Sequence, residues 1–315
     1  MHLKKIEEII QQYKSIVIFH HINPDGDCLG SQFGLKELIQ DNFPLIKVYA
    51  VGDSKNVLSF MDFKHDEIPS DEILLESLGI VVDANFSNRI QDSDLMMDKK
   101  IKSVLRIDHH IGGDDLDPLY SWVDQSFCAS AEQIAELAVN LNWKISKKAA
   151  SYIYLGIYTD SGRFFFDKTS SRTFKLVSKL TKTKFDVQFI HNNLSKRTKE
   201  EIVFLREVLN NYETKGHTIY YFLSFKKTQE LKLSEEGRNR VDFLANIQPY
   251  TIWIFFIEQE NGDIRVRLRS STHNVHQIAQ EYGGGGHEKA SGAVVKTKAQ
   301  MQEIVEKAEK ISALK

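Results

Sequence analysis

Residues 20–31 of the chain read His20-His21-Ile22-Asn23-Pro24-Asp25-Gly26-Asp27-Cys28-Leu29-Gly30-Ser31. They follow an apolar run at residues 16–19, and an amphipathic pattern begins at Leu29. This order predicts a buried strand, a polar turn and a helix. Ligands of parallel α/β proteins bind at the carboxyl ends of the strands, so we expect this turn to carry chemistry. Its imidazole and carboxylate groups suit a metal ion.

Two further apolar runs, at residues 79–82 and 103–107, also end in polar side chains, and so does a predicted helix at residues 146–157. The polar residues in question are Asp83, Asp108, His109, His110 and Asp160. Continuous apolar strands are typical of a parallel sheet that helices cover on both faces. Because parallel strands end at one edge of their sheet, we expect these side chains to meet there.

The length of the chain, 315 residues, exceeds what one hydrophobic core usually covers and predicts two domains. Apolar content falls and charge rises between residues 181 and 201, where we place the linker. We predict an α/β domain with a parallel sheet and helices on both faces at 1–185, a linker or helix at 186–205, and a smaller α/β domain with a mixed sheet at 206–315.

The composition is that of an ordinary globular protein, with 42% hydrophobic and 27% charged residues. No apolar run approaches the ~20 residues of a membrane-spanning helix, and the amphipathic start is unlike a secretion signal, so we expect a cytoplasmic protein without membrane contact. Cys28 and Cys128 are expected as reduced thiols. The net charge of −2 argues against binding of long duplex nucleic acid. Any polyanionic substrate is therefore expected to be short.

Four separate segments carry candidate metal ligands, which are His21, Asp25, Asp27, Asp83, Asp108, His109, His110 and Asp160. One cluster of histidine and aspartate is usually a capped turn or a surface pair. Four clusters at strand and helix ends favour a metal site instead. Imidazole and carboxylate together suit Mn²⁺, Zn²⁺, Fe²⁺ or Co²⁺, and the lack of paired cysteines argues against a structural zinc. Several carboxylates favour a hydrolytic site with two metals.

The second half of the chain contains a glycine run, Gly283-Gly284-Gly285-Gly286-His287. Such a run is often a flexible linker. It lacks the Gly-Lys-Ser/Thr ending of a P-loop. Between a predicted helix and a predicted strand at 290–295, it suits a cradle of backbone N–H groups for a phosphate.

Three arginines, Arg265, Arg267 and Arg269, alternate with apolar residues in another predicted strand. Alternation places their guanidinium groups on one face of that strand. The face is either a solvated outer surface or a surface that binds phosphate.

The ordered motifs resemble those of the DHH phosphoesterases. The resemblance rests on His21-x-x-Pro24-Asp25-x-Asp27, Asp83, Asp108-His109-His110, Thr159-Asp160-Ser161-Gly162 and the glycine run. The set looks most like the cytoplasmic branch that joins a DHH domain to a DHHA1 domain and degrades very short oligoribonucleotides. Members of that branch often also remove the 3′-phosphate of 3′-phosphoadenosine 5′-phosphate (pAp).

The resemblance implies roles for individual residues. The implied metal ligands are His21, Asp25 and Asp83 for one ion, and Asp27, Asp83, His109 and Asp160 for the other. His110 would act on the scissile phosphate or the leaving oxygen, and Asp108 would orient a neighbouring imidazole. The implied substrate-binding residues are Arg269, Ser270, Gly284, Gly285, Gly286 and His287.

By this resemblance we expect a hydrolase with two divalent ions, Mn²⁺ first and Mg²⁺ or Co²⁺ as alternatives. It would cut short RNA in the 3′–5′ direction to nucleoside 5′-monophosphates, with pAp as a further substrate. A phosphodiesterase for cyclic dinucleotides or their linear products is an alternative with the same chemistry. A catalytically silent nucleotide-binding regulator ranks lower, because no expected ligand position is substituted. Short RNA or small nucleotides are the expected partners, and the family suggests a homodimer.

Overall fold

The chain folds as two units, Met1–Ser195 and Lys196–Lys315. The structure is a computed structural model that describes residues 2–110, 112–234 and 237–313. Two helices, Val187–Ser195 and Lys199–Asn211, lie on either side of the division between the units. The segment 186–205, which we expected to be a linker or helix, is therefore mostly helical.

The first unit contains a five-stranded sheet in which all pairs are parallel. Its strands are β1 (Ser15–Phe19), β2 (Lys47–Ala50), β3 (Ser77–Val82), β4 (Ser103–Asp108) and β5 (Tyr120–Val123), in the order β2-β1-β3-β4-β5. Its helices are α1 (His2–Ile10), α2 (Gly26–Asn42), α3 (Asp71–Leu75), α4 (Asp94–Met97), α5 (Ser130–Asn140), α6 (Lys147–Asp160), α7 (Ser171–Thr181) and α8 (Val187–Ser195).

Alternate residues of β1 pack into separate cores on the two faces of this sheet. Ile16 and Ile18 belong to a core that α1, α2, α5 and α6 complete. Val17 and Phe19 pack with residues of α3 and α4 instead. The prediction of an α/β unit with a parallel sheet and helices on both faces is confirmed.

The second unit contains a mixed six-stranded sheet, as predicted. Its strands are β6 (Glu213–Lys215), β7 (Thr218–Leu223), β8 (Ile252–Glu258), β9 (Ile264–Ser270), β10 (Gly285–His287) and β11 (Ala290–Val295), in the order β10-β11-β9-β8-β7-β6. Its helices are α9 (Lys199–Asn211), α10 (Phe225–Glu230), α11 (His276–Glu281) and α12 (Lys298–Ser312). The β7–β8 pair is parallel and the other pairs are antiparallel. Among the described helices of the chain, none has the length and apolar character needed to cross a membrane.

The sequence did not reveal β5, the edge strand of the first sheet. Its residues alternate between half-buried and exposed, so it lacks the continuous apolar run that marks β1 and β3. Pairing with β4, in which Leu105 lies opposite Tyr120, holds it in the sheet. Tertiary contact rather than local propensity therefore determines this strand.

Helices α2 and α6 pack in close contact through glycines. A Cβ atom at Gly30 would lie 2.5 Å from the carbonyl oxygen of Tyr152. A Cβ atom at Gly156 would lie 3.1 Å from Oδ1 of Asp27. The bare backbones thus let the first turn of α2, with Asp27, approach the last turn of α6, which ends at Asp160.

Candidate metal centre

The turn between β1 and α2 places His21 beside Asp25. Asp25 is the N-cap of α2, and its Oδ1 accepts hydrogen bonds from the backbone N–H groups of Asp27 (3.0 Å) and Cys28 (3.1 Å). Its other oxygen, Oδ2, lies 3.6 Å from Nε2 of His21. The residues that start the helix therefore also fix one carboxylate of the site.

The Cys28 thiol completes this helix cap. Its Sγ accepts a hydrogen bond from the backbone N–H of Asp25 at 3.3 Å. Burial, together with the charge of Asp25, raises the pKa of Cys28 to about 12. The Cys28 thiol is buried and takes part in the helix cap, and its Sγ lies within 4.8 Å of ligand atoms of His21 and Asp25.

Asp83 follows the last residue of β3 and is buried between two imidazoles. Its backbone has the left-handed conformation (φ +57°), which few residues other than glycine, asparagine and aspartate adopt. Its Oδ2 lies 3.5 Å from Nε2 of His21, and its Oδ1 lies 3.4 Å from Nε2 of His109. The hydroxyl of Ser130 donates a 3.1 Å hydrogen bond to Oδ1. Each imidazole thus approaches its own oxygen of one carboxylate.

Asp27 lies in the first turn of α2, but its carboxylate accepts hydrogen bonds from the start of α5. Oδ2 accepts from the backbone N–H of Ser130 (2.7 Å), and Oδ1 accepts from that of Ala131 (2.8 Å). The first N–H groups of a helix have no partners within it, so Asp27 stabilises α5 while the helix end stabilises the negative charge. Oδ2 also lies 3.7 Å from Nε2 of His109.

His109 brings three carboxylates together. Its Nε2 lies 3.7 Å from Asp27, 3.4 Å from Asp83 and 3.4 Å from Asp160. Its Nδ1 lies 3.3 Å from the carbonyl oxygen of Phe127, which accepts the ring proton and leaves Nε2 directed to the acids. These separations exceed ordinary hydrogen bonds and match pairs of atoms that ligate a common ion.

Asp108 orients His110 and is itself held by an arginine. Its Oδ1 accepts a 2.8 Å hydrogen bond from Nδ1 of His110 and a 3.0 Å bond from the backbone N–H of the same residue. Its Oδ2 accepts a 2.5 Å hydrogen bond from Nη2 of Arg106. Burial raises the pKa of Asp108, but His110 and Arg106 outweigh this effect and hold the pKa below its ordinary value. Sequence reasoning missed Arg106, although a single arginine within an apolar run was a visible signal.

The carboxylates of Asp27, Asp83 and Asp160 lie close enough to repel one another. Burial raises the pKa of Asp27 well above its ordinary value, and the charges of Asp83 and Asp160 raise it further. Burial also raises the pKa of Asp160, to about 6. Burial lowers the pKa of His109, but Asp83 outweighs it and raises this pKa to about 10. Positive charge, from protonated imidazoles or from bound cations, stabilises the ionised carboxylates of the cluster. Burial raises the pKa of Asp83, but His109 and His21 outweigh it and hold this pKa well below its ordinary value.

The donor atoms fit divalent cations. Within the described residues, three groups hold ligand atoms within 4.8 Å of one another, namely His21 with Asp25 and Cys28, Asp83 with His109 and His110, and Asp27 with His109 and Asp160. Imidazole nitrogen mixed with carboxylate oxygen suits divalent first-row transition metals. The structure therefore provides acidic and histidine groups that can hold divalent metal ions.

A cavity of about 250 Å³ opens onto the cluster and is lined by His21, Ile22, Asn23, Asp25, Asp83, Arg89, His109, His110 and Asp160. Sequence reasoning missed Arg89, which ends a short 3₁₀ turn, Ser87–Arg89. Its side chain is exposed, and among the described residues none pairs with its guanidinium group. An arginine offers a planar pair of donors to a phosphate or carboxylate ligand.

In the second unit, Arg269 and Ser270 end β9. Nη1 of Arg269 donates to the carbonyl oxygens of Leu268 (2.9 Å) and Ser291 (3.3 Å). The hydroxyl of Ser270 is buried and accepts hydrogen bonds from the two backbone N–H groups at residues 272–273. Ser270 thus shapes the turn after the strand, whereas only Nη1 of the Arg269 guanidinium group has a hydrogen-bond partner among the described residues.

The glycine run ends in a short edge strand. Strand β10 pairs with β11 and is exposed over its whole length. A Cβ atom at Gly284 would lie 2.1 Å from the carbonyl oxygen of Gly292, and Gly286 has a φ of +131°. Close approach at the first position and conformation at the second both require glycine. The run is therefore ordered structure rather than a flexible linker, and strand β11 separates it from β9.

Comparison with known proteins agrees with the motifs. Residues 15–157 match the DHH family, N-terminal domain, and residues 234–313 match the DHHA1 domain. The bifunctional oligoribonuclease and PAP phosphatase NrnA of Mycoplasma genitalium is 44% identical over 94% of this chain and 93% of its own length. The protein of the same name from Bacillus subtilis is 34% identical over 91% of both chains.

A solved structure shares the fold. The crystal structure of an exopolyphosphatase-related protein from Bacteroides fragilis superposes with a TM-score of 0.84 at 21% identity, covering 98% of this chain and 95% of that one. Fold, site and motifs together define a phosphoesterase with a DHH domain and a DHHA1 domain. The chain belongs to the DHH family that includes the NrnA proteins, as its motifs predicted.

Proposed function

We propose that this protein hydrolyses very short oligoribonucleotides in the 3′–5′ direction to nucleoside 5′-monophosphates, and that it also removes the 3′-phosphate of pAp. The observation that carries the proposal is the position of Asp83 between His21 and His109, with Asp25, Asp27 and Asp160 from two other segments around these imidazoles. The names of relatives that are 44% and 34% identical support the substrates.

Two divalent ions, Mn²⁺ in our proposal and Mg²⁺ or Co²⁺ as alternatives, suit the donor set. The proposed ligands are His21, Asp25 and Asp83 for one ion, and Asp27, Asp83, His109 and Asp160 for the other. When bound, such ions supply Lewis acidity and lower the pKa of bound water towards neutrality. Asp83 would help to hold both ions, because its two oxygens face different imidazoles.

The residues of the chain position the phosphate and move a proton. Nδ1 of His110 donates a hydrogen bond to Asp108, so Nε2 is the ring nitrogen that would face the substrate. We assign to Nε2 the proton that reaches the leaving oxygen. In hydrolysis, a water oxygen bonds to phosphorus and gives up a proton to solvent, the bond from phosphorus to O3′ breaks, and O3′ takes the proton from Nε2 of His110 to become the released 3′-hydroxyl. The ring then regains a proton from solvent. Arg89, at the same cavity, is assigned to a non-bridging oxygen of the scissile phosphate.

The second unit is assigned to substrate recognition. Arg269 supplies donors to a phosphate, and the open edge of β10, with Gly284, Gly285, Gly286 and His287, supplies backbone N–H groups. Ser270 supports this surface by fixing the turn that follows Arg269.

Hydrolysis of labelled di- to pentaribonucleotides in the presence of Mn²⁺ tests the proposal. We expect nucleoside 5′-monophosphates, identified by chromatography against standards, and phosphate release from pAp. The Asp83→Asn variant should lose turnover. Asp92→Asn is a matched control, because Asp92 also has a left-handed backbone (φ +54°) but lies outside the candidate ligand groups. Failure to release mononucleotide at any length would contradict the proposal.

The alternative substrates are tested in the same experiment. Cyclic dinucleotides and their linear products need the same bond cleavage, so the ratio of kcat/KM values across the substrates separates the two functions. Turnover of any of them excludes a silent regulator. We further propose a cytoplasmic homodimer, and light scattering of the purified chain tests the dimer.

A further inference from the structure

One face of β9 carries a row of three arginines, Arg265, Arg267 and Arg269, which we call the arginine row. The arginines are half-buried, whereas Val266 and Leu268 between them are buried on the opposite face. Alternate residues of a strand are separated by about 6.8 Å, so the row presents cations at a regular interval.

The row borders an aromatic core on one side and small residues on the other. Arg267 lies opposite Phe255 of β8 and opposite Gly292 of β11. A Cβ atom at Gly292 would lie 4.0 Å from Cδ of Arg267, so the glycine leaves the space beside this side chain open. Arg269 likewise lies opposite a small residue, Ala290. The small residues of β11 therefore leave one side of Arg267 and Arg269 accessible, whereas Arg265 lies opposite Val294.

Acidic partners are missing from two members of the row. Within the described ranges 2–110, 112–234 and 237–313, no carboxylate pairs with the guanidinium group of Arg267 or Arg269. Burial, together with the charge of Arg267, lowers the pKa of Arg269 to about 10. Burial and the charge of Arg265 lower the pKa of Arg267 as well. Adjacent cations without acids create a positive potential that attracts anions.

We propose that the arginine row binds successive phosphates of a single-stranded oligoribonucleotide, with Arg269 at the terminal nucleotide and Arg267 and Arg265 at the following phosphates. The inference rests on the proposed function and goes beyond it, because it makes Arg267 a determinant of preferred substrate length. A polynucleotide backbone carries one charge per nucleotide, and the arginine row offers one cation at every second residue of its strand. The guanidinium fork matches the geometry of a phosphate.

The length dependence of KM tests this inference. For Arg267→Gln in the full-length protein, we expect KM for tetra- and pentaribonucleotides to rise about tenfold, the loss typical of one charged hydrogen-bonded contact. KM for dinucleotides and kcat at every length should stay at wild-type values. For Arg265→Gln, KM should rise for pentaribonucleotides only, which are one nucleotide longer than the tetraribonucleotides already affected in Arg267→Gln. Arg206→Gln, which changes an exposed arginine of α9 in the same unit, is the matched control and should change nothing.

Salt dependence provides a second readout. Each phosphate contact on a single strand contributes about 0.7 to the slope of log affinity against log salt concentration. The slope for pentaribonucleotides should therefore fall by about 0.7 in Arg267→Gln and stay unchanged in Arg267→Lys, which keeps the charge.

Wild-type length dependence and salt slope in both Arg267→Gln and Arg265→Gln would overturn the inference and leave the proposed function intact. If the wild-type protein releases no mononucleotide, the proposed function fails. Fluorescence anisotropy with uncleaved labelled oligoribonucleotides in EDTA then makes the same length and salt comparison. Far-UV circular dichroism identifies a variant that does not fold. If Arg267→Gln or Arg265→Gln fails to fold, the length and salt dependence of the other variant tests the inference.

Discussion

Nη2 of Arg106 lies 2.5 Å from Oδ2 of Asp108, and both side chains are buried. The two residues stand two positions apart on β4, on the strand that delivers His109 and His110. Arg106 also donates to Asp114 at 2.8 Å and to the carbonyl oxygen of Ala84 at 3.1 Å. One buried cation therefore connects the ends of two strands with the loop that follows the histidines.

Replacing Arg106 by methionine should destabilise the first unit. Removal of one partner from a buried ion pair leaves an uncompensated charge and typically costs about 3–5 kcal/mol. The free energy of unfolding in urea measures the loss. Arg89→Met removes an exposed arginine without an ion pair, and should stay within about 0.5 kcal/mol of the wild type. A similar small change in Arg106→Met would show that Asp108 is not held as described.

His110→Gln should lower kcat far more than it raises KM. Loss of a general acid typically costs about 10²–10⁴ in rate. A nitrophenyl ester of a nucleotide has a leaving group that needs no proton, so its turnover should fall much less. If kcat fell equally on the ester and on a dinucleotide, His110 would not be the residue that donates a proton to the leaving group.

Arg89→Gln should raise KM for every substrate, because the guanidinium group lines the cavity over the cluster. A charged hydrogen bond to phosphate is worth about 1.5–3 kcal/mol, which corresponds to roughly 10–150-fold in affinity. Steady-state kinetics on dinucleotides and on pAp measures the change. Arg206→Gln serves again as the control, and unchanged KM in Arg89→Gln would exclude the contact.

Gly30→Ala should lower stability and activity together. The new Cβ would lie 2.5 Å from the carbonyl oxygen of Tyr152, so α2 must move away from α6. Overpacking of this kind typically costs about 1–3 kcal/mol, and the shift would displace Asp27 from Asp160. Thermal unfolding and turnover measure the two effects. Gly113→Ala is the control, because a Cβ atom there meets nothing within 4 Å.

Removal of divalent ions should lower the thermal stability of the protein. A ligand present at a hundred times its Kd stabilises the folded state by about 2.7 kcal/mol. Differential scanning fluorimetry in EDTA, then with added Mn²⁺, Mg²⁺ or Co²⁺, measures the shift and ranks the ions. Asp83→Asn should lose most of the response, whereas Asp92→Asn should keep it. A wild-type melting temperature that does not change with any of these ions would contradict the metal site.

The sequence predicted the parallel sheet and its polar edge because each apolar run was followed at once by acids or imidazoles. Because the carboxyl ends of parallel strands lie at one edge of the sheet, Asp83 and His109 could meet only at that edge. The contacts of Asp27 with the start of α5 were not predictable, since 103 positions separate it from Ser130. The sequence did not indicate Arg89 as a site residue, because a single exposed arginine belongs to no recognisable motif.

The backbone of Asp83 restricts evolution at that position. A left-handed φ of +57° is costly for most amino acids, so the substitutions that preserve the local chain are chiefly glycine and asparagine. Both remove the charge that stands between His21 and His109. We therefore expect a descendant of this protein that has lost hydrolysis through a change at this position to carry glycine or asparagine there and to retain the fold, so that either residue identifies such inactive lineages from sequence alone.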